Sequence, residues 1–320
     1  MLNKLGYIDM HCDTLLHAVA GDKKDVFSME ACEVDAARLY EAEAMAQCFA
    51  VFFPPAINDD IKFFKQAKKI LTHTLDNYSD KIAYAGNIAD LERNIEAGKV
   101  SAFLTVEDGR AVDGSIENLE WFYNQGVRMI SLTWNHENCF GYPNSRDSEV
   151  MQKGLTAFGK EAIEVMNDLG IVVDVSHLSD GGFMDVARIS KVPFVASHSN
   201  ARAVTNHQRN LTDDMIRILA DKGGVTGLNF AADFVESAEH THHSSIERIC
   251  VHAKHLLNVG GEDVIAIGTD FDGTNDKLEI DNPTKMYLLF EGLKKKGFTQ
   301  SQIDKVAYRN IKRVFADTMK

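Results

Sequence analysis

Side chains that bind metal ions or carry protons recur in this sequence, each at or just after the end of an apolar, strand-like run. Burying such groups is costly unless partners are present, so either these runs are exposed edges or their polar ends meet. A group of imidazoles and carboxylates that meet could bind divalent cations and activate water. The residues concerned are His11, Asp13, Glu107, His136, His177, His198 and Asp270.

Register along the runs predicts which way these side chains point. In the first run, YIDMHCDT, alternation places His11 and Asp13 on one face with Asp9. The opposite face then carries Ile8, Met10 and Cys12. The same rule puts Glu107 on the face of Phe103 and Thr105, His177 on the face of Val173 and Val175, and Asp270 on the face of Ala266 and Gly268.

His136 follows its run by one residue. The other six residues, three imidazoles and three carboxylates, are too many ligands for one tetrahedral ion. Two ions that share a carboxylate and a bridging hydroxide, about 3.5–4 Å apart, use such a set economically. Glu107 is the natural bridge, with His11 and Asp13 on one ion and His177 and His198 on the other. Nitrogen and oxygen ligands favour zinc, with manganese or cobalt as substitutes.

At each position taken alone, an ordinary structural role competes with a role in metal binding. The His-Cys-Asp triplet could be solvated surface, His177 a core histidine, and Asp270 the start of a turn. The coincidence of six such residues at strand ends argues against them. Elsewhere we interpret histidines as ordinary: His240, His242 and His243 in a solvated EHTHH loop, His252 and His255 on a helical pattern, and His17 and His73.

The elements that must position these residues are eight short apolar runs, which suit strands buried on both faces of a parallel sheet. Helical patterns lie between them: an apolar stripe over 155–169 closed by Gly170, a helix capped by Thr212, and a capping box from Thr299 to Gln302. The strand-like runs are 7–13, 44–53, 101–107, 128–135, 171–177, 193–199, 224–230 and 264–270.

Eight strands alternating with helices predict a (β/α)8 TIM-like barrel, which needs about 250 residues and has its active site at the C-terminal ends of the strands. We expect one domain over 1–320, with extra helices at roughly 60–98, a lid-like segment at 233–247 and C-terminal helices. A doubly wound open sheet also fits the alternation. However, the sequence contains neither GxGxxG nor GxxxxGK[ST] to support nucleotide binding.

Composition narrows the function classes. The chain has 320 residues, 45% of them hydrophobic, and a net charge of −13, which argues against a nucleic-acid partner. Five cysteines without paired spacing indicate reduced thiols. We also expect no signal peptide, membrane span or lipid-anchor tail, and therefore a cytoplasmic protein without a membrane partner.

Together the segments DMHCDT, TVEDG, LTWNHEN, DVSHLS, SHSNARAV, QRNLTDD and IGTDFDG resemble the membrane (renal) dipeptidase family of the amidohydrolase superfamily, especially its soluble bacterial members. The similarity runs from residue 6 to about 317. It implies a zinc dipeptidase on a distorted barrel, with a metal-bridging hydroxide that cleaves L-Xaa-L-Xaa and L-Xaa-D-Xaa dipeptides. Its two ions would be bound by His11, Asp13 and Glu107, and by Glu107, His177 and His198.

The resemblance also implies roles for three further residues. His136 would polarise the scissile carbonyl, Arg209 would bind the free carboxylate of the substrate, and Asp270 would transfer the proton. Arg202 is a rival for the carboxylate. The chain departs from the family at Ala231 and Ala232, where an aromatic residue is common, and at Asp108, where glycine is usual; both changes concern side-chain specificity.

Other functions remain open at this stage. One is a different binuclear-metal amidohydrolase, acting on a cyclic amide, an N-acyl amino acid or a lactone. Another is a metal-binding barrel without catalytic activity. The family resemblance also allows a homodimer.

Overall fold

The computed structural model describes residues 6–236 and 242–320, so His240 of the EHTHH segment lies outside the described residues. A parallel sheet of nine strands dominates the fold. Two further strands form a small parallel ribbon. The strands are β1 Ile8–Cys12, β2 Ala46–Phe52, β3 Ile82–Tyr84, β4 Val100–Glu107, β5 Val127–Ser131, β6 Val172–Asp174, β7 Val195–Ala196, β8 Val225–Leu228, β9 His243–Ser244, β10 Ile265–Ile267 and β11 Lys277–Leu278.

Eight of these strands close into a barrel. Around the ring the order is β2, β1, β10, β8, β7, β6, β5 and β4, and pairing of β2 with β4 completes it. The first strand pairs with the last, with Asp9 opposite Ile267. The predicted (β/α)8 barrel is therefore confirmed and the open-sheet alternative is wrong.

Fourteen α-helices are present in the described residues, and most of them alternate with the barrel strands. Thr156 caps α7, which ends at Gly170 with a positive φ of 84°. Thr212 caps α9, and Thr299 and Gln302 form the predicted capping box of α13. The helices are α1 Thr14–Ala20, α2 Ala36–Glu41, α3 Asp60–Asn77, α4 Ile88–Glu96, α5 Ile116–Asn124, α6 Ser148–Met151, α7 Ala157–Leu169, α8 Asp180–Ile189, α9 Asp213–Asp221, α10 Ala232–Val235, α11 Ile246–Gly260, α12 Tyr287–Lys295, α13 Gln300–Asp304 and α14 Asn310–Thr318.

Two predicted segments differ in detail. The region 60–98 holds α3 and α4 as expected, but it also contains β3, which pairs with β4 outside the barrel. In the predicted lid-like segment 233–247, the described residues contain most of α10, β9 and the start of α11, whereas 237–241 lie outside the described residues. Several strands are shorter than their apolar runs, and β6 and β7 have only three and two residues. The polar ends of those runs lie in loops beyond the strands.

Two apolar clusters hold the barrel together. One contains a residue from each of the eight barrel strands and joins them to α14, where the rings of Phe103 and Phe315 are 4.8 Å apart. The other packs the helices against the outside of the barrel. Burying apolar surface contributes about 25 cal/mol to the stability of the fold for each Å² removed from water. The barrel is therefore packed with side chains at the end opposite the candidate site.

Among the described residues, no helix combines the length and apolar character that crossing a bilayer requires. All five cysteines are free thiols, as predicted.

Candidate active site

Six of the polar residues predicted from the sequence meet at the C-terminal end of the barrel. His11 belongs to β1 and Glu107 ends β4, whereas the other four follow β1, β6, β7 and β10 in loops. All six are buried, with at most 9% of each residue exposed to solvent. These six residues are His11, Asp13, Glu107, His177, His198 and Asp270.

Glu107 lies between two sets of partners. Its Oε2 atom is 3.5 Å from Nε2 of His11. Its Oε1 atom is 3.0 Å from Nε2 of His177 and 3.6 Å from Nε2 of His198. The Nε2 atoms of these last two histidines are 3.1 Å apart. Each carboxylate oxygen thus faces different nitrogen atoms, which is the arrangement that a bridging carboxylate needs.

His11 has acidic neighbours on its other side. Its Nε2 atom is 3.6 Å from Oδ2 of Asp13 and 3.8 Å from Oδ1 of Asp270. Within the described residues, two groups could hold a metal ion: His11 with Glu107 and His198, and His11 with Asp13 and Asp270. Asp270 therefore lies close enough to the potential ligands to belong to one of the groups, whereas the sequence pattern suggested only a proton-transfer role.

The donor set fits a divalent cation. Nε2 of His11 and Oδ1 of Asp13 are both buried, and neither has a hydrogen-bond partner in the structure. An unpaired buried polar atom costs about 1–3 kcal/mol, so these atoms indicate a missing ligand. Imidazole nitrogens and carboxylate oxygens are the ligands that zinc and similar ions use in proteins.

The backbone reaches this arrangement by breaking strand alternation. Pairing of β1 with β2 shifts register between Asp9 and Cys12, a bulge-like irregularity. Ile8 and Met10 pack in the cluster inside the barrel, whereas Cys12 packs in the outer cluster. The predicted common face of Ile8, Met10 and Cys12 is therefore wrong, because the bulge reorients the strand just before its polar end.

Two other site residues have left-handed backbone. The φ angles of His177 and Asp270 are 69° and 62°, which costs about 1–3 kcal/mol for a residue that is not glycine. Alternation from the strand does not extend to His177. Val173 and Val175 pack in the outer cluster, so the predicted face shared with His177 is wrong. By contrast, Glu107 lies within β4 and follows the predicted alternation.

Two glycines allow the segment that carries His198 to pass close to the neighbouring strand ends. A Cβ atom on Gly227 would lie 1.9 Å from the carbonyl oxygen of Ser197, and one on Gly268 would lie 1.7 Å from it. No side chain fits such distances. Substitution of either glycine would move the backbone next to His198.

A buried carboxylate supports His198 from behind. Ser197 donates its hydroxyl to Asp174, at 2.5 Å, and its Oγ lies 2.7 Å from Nδ1 of His198. Because that hydroxyl proton goes to the carboxylate, Nδ1 of His198 donates to Oγ, which leaves Nε2 free of a proton. Asp174 also accepts from Ser131 Oγ and from the backbone N–H groups of Ser176 and Ser197.

Comparable supports lie behind the other site residues. Asp9 accepts from the N–H groups of His11 and Thr269, and from the hydroxyl of Thr269. Asn229 donates to Oδ2 of Asp270 at 2.9 Å. The supporting roles of Asp9, Asn229 and Asp174 were not predicted from the sequence. The available signal was an aspartate two or three residues before a histidine in an apolar strand, as in DMH and DVSH.

Burial controls the charges at this site. It raises the pKa of Glu107 to about 7, against the lowering effect of His11, and it raises the pKa of Asp270. Burial also lowers the pKa values of His177 and His198 well below the usual value, and the nearby charges of His11 and Arg209 add to this effect. Both histidines are therefore neutral, the form in which imidazole binds metal ions.

Arg209 lies beside these residues and has no carboxylate partner among the residues that the structure describes. It is buried, and it donates to Oγ of Ser199 at 3.1 Å and to the carbonyl of His198 at 3.2 Å, while its Nε has no partner. Its guanidinium lies over the ring of Phe234, 5.2 Å from the centroid. Arg202, the rival, already makes two hydrogen bonds with Asp180, at 2.7 and 2.8 Å.

His136 is less closely associated with the cluster. It lies exposed in the loop after β5, and its ring is 5.7 Å from that of Trp134. The half-buried Trp134 lies between His136 and the cluster, 6.4 Å from the ring of His177. His136 can therefore reach a substrate only from the open side of the site.

Five of the histidines interpreted as ordinary make hydrogen bonds or ion pairs elsewhere. His17 bonds to the carbonyl of Asp272, and His255 to Asp213. His242 pairs with Asp276 at 3.3 Å. His252 is buried and bonds to Ala201, Thr205 and Val235, while His73 bonds to Asn77 on the surface of α3.

Comparison with known proteins gives a consistent result. The family described as membrane dipeptidase, peptidase family M19, matches residues 1–320. An uncharacterized dipeptidase of Schizosaccharomyces pombe is 34% identical over 224 residues, which cover 69% of this chain and 54% of that protein.

Two solved structures extend this similarity to the fold. A metallopeptidase of the same family, dipeptidase AC, has a TM-score of 0.89 and 26% identity, and the match covers 99% of both chains. A metallopeptidase from Rhodobacter sphaeroides, bound to a phosphinate mimic of the dipeptide L-Ala-D-Ala, has a TM-score of 0.85 and 25% identity. That match covers 99% of this chain and 100% of the other.

Proposed function

The chain belongs to the membrane dipeptidase family, a family of metallo-dipeptidases, and on that premise we propose that it is a zinc enzyme that hydrolyses L-Xaa-L-Xaa and L-Xaa-D-Xaa dipeptides. The observation that carries the proposal is the meeting of six ligand-type side chains beside an arginine, Arg209, that has no carboxylate partner in the described part of the chain. The dipeptide mimic in the Rhodobacter sphaeroides relative supports a D-residue at the C-terminal position.

We propose that two ions are bound, with Glu107 as the bridge. His11 and Asp13 complete the first site, and His177 and His198 complete the second. The different partners of the two Glu107 oxygens and the unpaired atoms of His11 and Asp13 support this assignment. When bound, such ions lower the pKa of a coordinated water to about 7 and so supply a nucleophile at neutral pH.

Arg209 and Asp270 have complementary roles in the proposal. The guanidinium of Arg209 binds the C-terminal carboxylate, since its Nε is buried and unpaired and since the rival Arg202 is occupied by Asp180. A required free carboxylate restricts the enzyme to short peptides. Asp270 accepts the proton of the attacking water and returns it to the leaving amine. Burial raises its pKa, which suits a group that must both accept and donate a proton.

His136 is proposed to polarise the scissile carbonyl from the open side of the site. Its exposed position in the loop after β5 allows it to contact a bound substrate directly. The indole N–H of the neighbouring Trp134 is the alternative donor, because the ring of Trp134 lies 6.4 Å from that of His177. A homodimer, a single domain over 1–320, a cytoplasmic location and the absence of nucleic-acid and membrane partners stay predictions.

A substrate screen with metal analysis tests the proposal. Dipeptides of both series are assayed beside an N-acyl amino acid, a cyclic dipeptide and a lactone, and the metal content of the same preparation is measured. We expect dipeptides to be the best substrates, with two zinc ions per chain. Asp270→Asn should retain metal while kcat falls by about 10²–10⁴, as for loss of a general acid–base group.

Three results would overturn parts of this proposal. Preference for the acyl amino acid, the cyclic dipeptide or the lactone would refute the dipeptidase assignment. One ion per chain would refute the bridging role of Glu107. Full activity after Asp270→Asn would refute the proton-transfer role.

A further inference from the structure

Most arginines of this acidic chain are paired with carboxylates. All twelve lie in the described residues, and nine of them contact a carboxylate within 4.0 Å. Arg128 instead donates to three backbone carbonyls. Within residues 6–236 and 242–320, only Arg146 and Arg209 neither contact a carboxylate nor donate to three backbone carbonyls. The nine paired arginines are Arg38, Arg93, Arg110, Arg188, Arg202, Arg217, Arg248, Arg309 and Arg313.

Arg146 lies at the entrance to the candidate active site. It belongs to the loop between β5 and α6, at the C-terminal end of the barrel. Two residues earlier, Asn144 donates its backbone N–H and its side-chain amide to the carbonyl of His177, at 2.7 and 3.1 Å. The loop is therefore fixed to the backbone of a proposed metal ligand, while the side chain of Arg146 is exposed.

His207 lies next to Arg209 in the site. Its Nδ1 accepts the backbone N–H of Arg209 at 3.2 Å, and its ring lies 4.9 Å from that of Phe234, over which the Arg209 guanidinium is placed. Burial, followed by the charge of Arg209, lowers the pKa of His207 to about 4, with a smaller contribution from Arg146 that opposes Asp233. The loop of Arg146 is fixed to the carbonyl of His177, whose Nε2 is 3.1 Å from Nε2 of His198, and Arg209 donates to the carbonyl of His198. Both arginines therefore belong to the half of the site formed by these two histidines.

We infer that Arg146 binds a second carboxylate of the substrate, the side chain of its C-terminal residue, so that the enzyme prefers dipeptides ending in Asp or Glu. This inference rests on the proposed function, in which Arg209 binds the C-terminal carboxylate. The two carboxylates of such a residue are separated by only a few bonds, which matches two arginines on one side of the site. A planar guanidinium binds a carboxylate better than any other side chain does.

Matched substrates that differ only in charge test the inference. We compare kcat/KM for L-Ala-L-Asp with that for L-Ala-L-Asn, and likewise for L-Ala-L-Glu and L-Ala-L-Gln. The native enzyme should prefer the acidic member about tenfold, the effect of one hydrogen-bonded charge pair. Arg146→Ala should reduce this ratio to about one, mainly through KM, and Arg146→Lys should keep part of it.

Arg217→Ala is the matched control, since Arg217 lies exposed on α9 and pairs with Asp214. It should keep the native ratio. The same ratio in native enzyme and Arg146→Ala, or no preference for the acidic peptide in the native enzyme, would show that Arg146 is merely a solvated surface residue. If the amide-bearing peptides are hydrolysed, the proposed dipeptidase function holds and only the inference about Arg146 has failed. If none of the four peptides is hydrolysed, the proposed function fails and the inference is overturned with it.

Discussion

Asp174→Asn tests whether the buried carboxylate behind His198 controls metal binding. The native carboxylate accepts four hydrogen bonds, two from backbone N–H groups and two from the hydroxyls of Ser131 and Ser197. Asparagine has nearly the same shape, and its oxygen can retain the two N–H donors. Its amide nitrogen, however, faces the two hydroxyls, and both must turn to accept. Ser197 then donates to Nδ1 of His198 and places the imidazole proton on Nε2, the atom that faces Glu107.

The size of the effect follows from this change of tautomer. A hydrogen bond to a charged group contributes about 1.5–3 kcal/mol. Replacing the outer partners of metal-bound histidines typically weakens metal binding by about 10- to 100-fold. We therefore expect Asp174→Asn to weaken the binding of one zinc ion by about 10- to 100-fold. The fold should change little, because every hydroxyl and N–H group keeps a partner.

Competition between the metal-free protein and a zinc chelator measures this affinity directly, without relying on turnover. Ser197→Ala should weaken zinc binding similarly, and the double variant should be no weaker than the single ones, since both act through one hydrogen-bonded chain. Ser131→Ala is the control, because Ser131 contacts the same carboxylate but lies outside the chain to His198. Native zinc affinity in Asp174→Asn, or equal weakening in the control, would refute the reasoning.

Two other predictions concern the carboxylate site and the pH dependence of stability. Arg209→Ala should raise KM for a dipeptide by about 10- to 100-fold through loss of a charged hydrogen-bonded contact, but should raise KM for the dipeptide amide far less; equal effects would remove its assigned role. Burial lowers the pKa of His252 to about 4 from 6.5, so its contribution to stability is complete above pH 6.5 and is lost as the pH falls to 4. Urea unfolding should show that His252→Asn removes about 3 kcal/mol of this pH dependence, and an unchanged dependence would contradict the assignment.

The barrel could be predicted from the sequence because the pattern of a short apolar run followed by a helical segment occurs eight times. Short apolar runs separated by capped helices leave few arrangements, and parallel strands buried on both faces favour closure. The strand β3 was missed since its three residues, Ile82–Tyr84, lie between two strong helical patterns. A three-residue edge strand gains its stability from pairing with β4, which no local pattern encodes.

The six residues that meet at the candidate site could be predicted from residue type, but the orientation of their side chains could not. Alternation holds for Glu107, which lies inside a regular strand, and fails at His177. The backbone of both His177 and Asp270 is left-handed and lies beyond short strands. These conformations depend on contacts with distant segments, such as the bonds from Asn144 to the carbonyl of His177. The supports of the ligands were missed for the same reason, because Asp174 and Ser197 are far apart in the sequence.

The pairing of the first barrel strand with the last has a consequence for how the enzyme matures. During synthesis, His11 emerges from the ribosome some 260 residues before Asp270 and the neighbouring strand β10. Contacts this distant in sequence form slowly. The nascent chain therefore exposes an incomplete ring until β10 has emerged, and the six side chains of the candidate site come together only after that point.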